Sequence, residues 1–400
     1  MANELELDLD SVDLDDMDLD NIDLTDFGEV DETIDYPHIK VGSKALKEFL
    51  KVSKKVCASG GKDIISKATC LVYDESKEKV VAYATDFDVY VQQDLEVLNT
   101  TNLLKEPVIV PTDVLIKLTS AVPANTIFYK KDDTFYIRLY GGDMELEAHA
   151  MSLDKFQFLD EVERVETIEA SSLYSVMKDF SPVVAAAVNP AEKRIICGED
   201  GAFANYMFAI MKATSVKGSF DLKSKDLEIL KGLVVNKKEE DLVLYRTKED
   251  VKVARCLVEG SDFKYAFLVS EATMSDSLKN NMNNVLTQEG VFVDFIQLYK
   301  MIELASELPY ALGKVGINYT ENGLVIDIKT KKGLSNVFEI SGSIDGAPDP
   351  LKEELVVQAK LLKILLRSFA SKQSVKVSLT KDGLGLVCDD YSAAIYSEAE

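Results

Sequence analysis

Three stretches of this 400-residue chain follow one plan, and any fold it adopts must use that plan three times. The first, VIVPTDVLIKLTSAVPANTIFYKKDDTFYIRLYGGDMELEAHAMSLDKFQF, follows Pro107. It predicts a short apolar strand, a helix opening at Pro111-Thr112 with Val114, Leu115, Leu118 and Val122 on one face, and then period-2 strands. Stretches beginning at Ser219 and Leu355 read the same way. Setting Pro111 against Lys223 and Gln358 aligns Leu115/Leu227/Leu362, Leu118/Leu230/Leu365 and Val122/Val234/Phe369. Other strand and helix patterns precede each copy, so each domain is expected to hold two helices on antiparallel sheets with an approximate internal two-fold. The class is α+β, in three repeated domains.

The expected boundaries are 36–162, 163–272 and 290–400, with the polar, Asn-rich 273–289 as a linker or long loop. Residues 1–35 carry fifteen acidic residues and no Lys or Arg, so of the formal charge of −24 the other 365 residues hold only −9. Within that segment Leu7-Asp-Leu, Val12-Asp-Leu, Met17-Asp-Leu, Ile22-Asp-Leu and Phe27 keep a five-residue beat. It fits neither a helical nor a strand period, and the expectation is a disordered acidic–hydrophobic tail with room for a partner of its own.

Little supports catalysis. Two histidines, five scattered cysteines without a CxxC, and no phosphate-loop, nucleophile-elbow or zinc-protease motif argue against an enzyme, a metal centre, a cofactor and a disulfide framework. No apolar run reaches ~18 residues, which excludes a helical membrane span and suits a cytoplasmic protein.

The basic residues are better placed. Lys44, Lys47, Lys51 and Lys54 fall opposite the apolar face Leu46, Phe49, Leu50 and Val56 of one predicted helix. Lys360, Lys363 and Arg367 do the same opposite Leu362, Leu365 and Phe369, while Lys117, Lys231 and Lys300 are less well aimed. Positive charge gathered on particular helices of an acidic chain points to a phosphate-facing surface. A different class of function, a non-enzymatic acidic scaffold that mimics DNA, would place the activity in the tail.

AYATDFDVYV (from Ala82), VPTDVLIKLTSAVPANTIFYKKDDTFYIRL (110–139), SLDKFQFLD (152–160), LVEGSDFKYAFLVS (257–270) and VGINYTENGLVIDI (315–328) resemble, in order and spacing, the bacterial-type sliding clamp, the β processivity subunit of the replicative DNA polymerase. The resemblance implies a head-to-tail homodimer closed into a ring, helices lining a hole for duplex DNA, and a groove for a short apolar peptide of polymerase and clamp loader. It implies a subunit contact near Met144 and Leu146 facing Leu304 and Leu308, and a partner groove near Met207, Ala209, Ser270, Ile395 and Tyr396. The chain departs from the family pattern at Ser270 and in its Ile395–Glu400 terminus. These departures and the acidic tail fit a divergent clamp, such as one encoded by a phage and acting in the infected bacterial cell.

Overall fold

The structure, a computed structural model, describes residues 34–57, 63–149, 151–207, 209–248, 251, 253–270, 274–346, 348, 350–370 and 372–396. The acidic beat therefore lies outside the described residues. The helices are α1 (Ser43–Cys57), α2 (Thr112–Leu118), α3 (Ala170–Ala186), α4 (Ser224–Val234), α5 (Asp276–Leu286), α6 (Phe295–Glu307) and α7 (Ala359–Arg367).

Apart from α5, the described residues form six copies of one strand–helix–three-strand unit, two per domain. The repeat seen in the sequence is the second unit of each domain; Pro111, Lys223 and Gln358 all end the strand that leads into the helix. Within a domain the units exchange their first strands. His38–Gly42 pairs with Asn125–Lys131 of the other unit, and Val108–Pro111 pairs with Ala68–Asp74. The second domain repeats this with Val162–Glu169 on Asp241–Thr247 and Phe220–Lys223 on Arg194–Gly198. The third repeats it with Gly290–Asp294 on Ser374–Thr380 and Leu355–Gln358 on Ala311–Thr320. Neither unit of a domain can complete a four-stranded sheet without the other.

The domains are joined by strand pairing as well. Tyr90–Glu96 of the first pairs antiparallel with Phe263–Leu268 of the second, and Ala209–Ala213 of the second with Tyr391–Tyr396 of the third. Eight- and twelve-stranded sheets result. The helices other than α5 pack side by side in the order α2–α1–α4–α3–α7–α6, so the α1–α4 and α3–α7 contacts bridge the domains that the sheets join. One continuous core lies between helices and sheets.

The aligned helix positions are buried in that core, with Leu118 half-buried. Val114 departs from the expected face: at 42% exposure it points away from the core, because the short α2 has room to bury only Thr112 and Leu115. Residues 273–289, expected as a linker or long loop, hold α5, capped by Ser275 accepting from the Leu278 amide at 3.3 Å. All five cysteines are free, and burial pushes the Cys70 thiol up to about 12. No helix among the described residues is long and apolar enough to cross a membrane.

Candidate nucleic-acid interface and subunit edges

The helix row presents its outward side as a surface free of strands. Lys44, Lys47, Lys51 and Lys54 are all exposed there along α1, and none is paired with a carboxylate among the described residues. Three or four residues apart, they form a stripe of charge that follows the helix. Lys117, Lys300 and Lys360 are exposed in the same way on α2, α6 and α7. Sequence reasoning missed Lys178 on α3; it is exposed and stands where Lys51 stands in α1, 127 residues earlier in the repeat.

Two expected cations are not free. Lys363 is only 8% exposed, with Nζ 2.5 Å from Glu307 Oε1 and 3.1 Å from Glu303 Oε1. Helix α6 packs directly on α7 and turns these two carboxylates, one helical turn apart, onto the lysine. Glu307 first, and Glu303 with it, raise the Lys363 pKa and keep it protonated; the hydrogen bond from Lys363 lowers the Glu303 pKa. Lys231 is likewise held by Glu228 Oε1 at 3.0 Å and donates to Ser181 Oγ at 3.1 Å. Arg367 remains exposed, its Nε 3.5 Å from Tyr299 Oη.

The strand Gly142–Leu146 is the outer edge of the first domain's four-stranded sheet and, among the described residues, has a partner on one side only. Met144 on that edge is 47% exposed, whereas Leu146 faces Phe135 and is buried within its own domain. Two residues apart, Met144 and Leu146 share one face of the strand, but Leu146, expected as an open contact residue, is already covered within the single chain. At the other end of the chain Ser335–Asp345 pairs with Gly323–Thr330, and beyond Ser341 also with Gly290–Asp294; residues 335–341 keep one free edge. On the adjacent α6, Leu304 is 37% exposed and Leu308 is half-buried.

The expected partner groove is partly filled. Ala209 and Ile395 are register partners across the joint, and both are buried toward the helices. Met207 is exposed in the left-handed region (φ 53°) of the turn before that strand. Ser270 is committed to the buried Asp221: its amide donates to Oδ1 at 2.6 Å and its hydroxyl to Oδ2 at 2.8 Å, with Arg194 Nη1 2.9 Å from Oδ2. Tyr396 is half-buried beneath α5.

With this geometry in place, comparison identifies the architecture. The Helicobacter pylori beta clamp solved with a DNA ligase peptide superposes with a TM-score of 0.70 at 13% identity, covering 90% of this chain and 100% of that one. A DNA polymerase sliding clamp from Pseudomonas aeruginosa gives 0.70 at 12% identity over 91% and 99%. The DNA polymerase III beta subunit from Thermotoga maritima gives 0.68 at 16% identity over 91% and 99%. No protein-family model and no curated protein sequence matches the chain. The fold is that of the bacterial sliding clamp.

Proposed function

We propose that this chain is a DNA sliding clamp, a non-catalytic processivity factor that encircles duplex DNA as a homodimer and tethers polymerase and other replication proteins. The observation that carries this reading is that one joint is made twice within the chain and its two halves are left over at the ends. Each joint pairs the last strand of a domain's first unit with the last strand of the next domain's second unit. The unused halves are Ser335–Ser341 in the third domain and Gly142–Leu146 in the first. A second copy supplies the missing partner to each. Two identical head-to-tail contacts then close a ring and remove both free edges.

The internal joints also set the register of that contact. The strand pairings from Ala68, Arg194 and Lys314 onward make Asn336 the equivalent of Val91 and Met211, and Met144 the equivalent of Tyr265 and Ala393. Asn336 therefore faces Met144 of a second copy, and Leu334 faces Leu146. On the helix side α6 meets α2 of that copy, as α1 meets α4, so Leu304 belongs to the contact. The Lys44–Lys54 stripe and Lys117, Lys178, Lys300 and Lys360 then line the hole. A topological ring needs only a weak, sequence-blind attraction to phosphates, and the acidic remainder keeps other surfaces off DNA.

Polymerase and loader dock by a short apolar peptide at the joint of the second and third domains. The place of action is the bacterial cytoplasm. Threading tests the reading: the protein is mixed with linear duplex whose ends are open or are then blocked by streptavidin. After washing with about 1 M salt, where charges are screened beyond ~3 Å, a ring stays on blocked DNA and leaves open DNA. Equal loss from both would refute encirclement.

A further inference from the structure

The two internal joints are equivalent residue by residue on the face away from the helix row. Tyr90 pairs with Ala266 and Tyr83 with Gln92 at the first; Ile210 pairs with Ala394 and Phe203 with Lys212 at the second. Tyr83, Tyr90 and Ala266 thus correspond to Phe203, Ile210 and Ala394.

What differs is the cover. At the first joint the linker buries Phe156 and stands Phe158 5.8 Å from Tyr90. It leaves a cavity of roughly 180 Å3 lined by these residues, Tyr83 and Leu257. At the second, α5 lies across the joint and buries Met282, together with Met274 just before it, against Phe203, Ile210 and Ala394. The seat is shaped for the helix. Gly385 stands where the first joint has Leu257, since each is paired with the equivalent alanine. A Cβ on Gly385 would meet Val285 Cγ1 and Leu286 Cδ2 at 3.2 Å and Ser378 Oγ at 2.4 Å. That serine hydroxyl donates to the Val285 carbonyl at 2.9 Å.

The helix itself is poorly suited to hold its shape alone. Four of its eleven residues are asparagines (280, 281, 283, 284), only Met282 and Val285 are buried, and the ion pair Lys279–Asp200 at 3.2 Å is at the surface. We propose that the face beneath α5 is a docking site for a methionine- or leucine-anchored peptide, that α5 occupies it in cis, and that a partner's peptide binds only by exchange with α5. This rests on the proposed clamp reading for the identity of the partner, and it adds a built-in competitor at that site.

Amide hydrogen exchange on the full chain tests the exchange step. The α5 amides are expected to exchange at least ~100-fold faster than those of 209–213 and 391–396, by local opening. A synthetic peptide of residues 274–286, followed by fluorescence anisotropy, tests the site. It should bind a Met274→Ser/Met282→Ser variant at least ~10-fold more tightly than the parent, and the same peptide carrying Met282→Ser should lose that binding. The variant counts only with the 209–213 and 391–396 amides still protected. Gly385→Leu, which copies the first joint, should fill the seat from below and abolish binding of the added peptide even in the Met274→Ser/Met282→Ser background. The proposal is overturned if α5 amides exchange as slowly as the joint strands, if the peptide binds the parent and the Met274→Ser/Met282→Ser variant alike or not at all, or if adding Gly385→Leu leaves that binding intact. Neither readout involves DNA or ring closure, so a monomeric protein would sink the clamp reading and leave this result standing.

Discussion

The joint between the first and second domains and the free end of the third are made of equivalent parts finished differently. In the joint, Val52 of α1 is 6% exposed and lies against α4, where a Cβ on Gly232 would meet its Cγ2 at 3.4 Å. Its counterpart at the free end, Leu304 of α6, occupies the same place in the unit and is 37% exposed. The sheets tell the same story: Ala209 is buried in a joint, while Leu334 in the corresponding position is 65% exposed. An apolar residue uncovered only where the repeat runs out marks an unfinished contact, since elsewhere the same position is core.

The largest effect is expected from breaking a finished joint. Val52→Asp places an unpaired charge between α1 and α4 and should cost about 3 kcal/mol of folding stability, read as a lower urea midpoint. Met144→Glu with Leu304→Glu should leave that midpoint unchanged, because both residues are already exposed in the single chain. It should instead weaken self-association at least ~100-fold, about 2.7 kcal/mol, seen by light scattering on dilution. If the pair of substitutions unfolds the chain, the ends are not open edges.

The next effect separates free from committed cations. Reversing Lys44, Lys47, Lys51 and Lys54 to Glu should weaken DNA binding at least ~30-fold at about 0.1 M salt and lower the salt slope by ~0.9 per lost phosphate contact. Lys363→Gln should change DNA affinity far less, since its charge is spent on Glu303 and Glu307. Equal effects would mean that the α1 stripe does not face the DNA.

The smallest effect concerns Glu228, which pairs with Lys55 across the first joint at 3.5 Å. Hydrogen bonding from Lys231, with Lys55 adding to it, depresses its pKa below the ordinary 4.5. A depressed carboxylate stabilises the fold above its unfolded pKa and loses that contribution as pH falls through the folded value. Glu228→Gln should therefore cost at most about 0.5 kcal/mol at pH 7, the exposed site being well screened. The difference from the parent should shrink as the pH drops below about 4.5. A gap that widens in acid would reverse the assignment.

Much of this architecture was legible in the sequence because it rests on local pattern. The apolar triplets after Pro111, Lys223 and Gln358 are core positions, and their spacing located the strand–helix junctions correctly. The first unit of each domain was harder to align: Phe49, Val176 and Met301 share one place in the repeat with different side chains. Lys363 misled because its carboxylates lie 56 to 60 residues away and reach it only through α6–α7 packing. Ala209 and Ile395 face the core, which alternation decides and a family resemblance does not, while Leu146, on the same face as Met144, is covered by its own domain. The helix α5 was hidden by its asparagines, which suit a loop better than a helix and leave too few apolar positions to reveal a period.

The central claim, that the two free ends are halves of one joint, is tested most directly by a cross-link. Met144→Cys and Asn336→Cys in one chain put each thiol opposite its partner on a second copy, and cross-strand neighbours lie ~4.5–5.5 Å apart. Mild oxidation should produce a covalent species of twice the 44.3 kDa chain mass, with two disulfides and no longer ladder. Either single substitution should give none. A double variant that stays monomeric under oxidation, or forms an open series of higher oligomers, would contradict the closed two-copy ring.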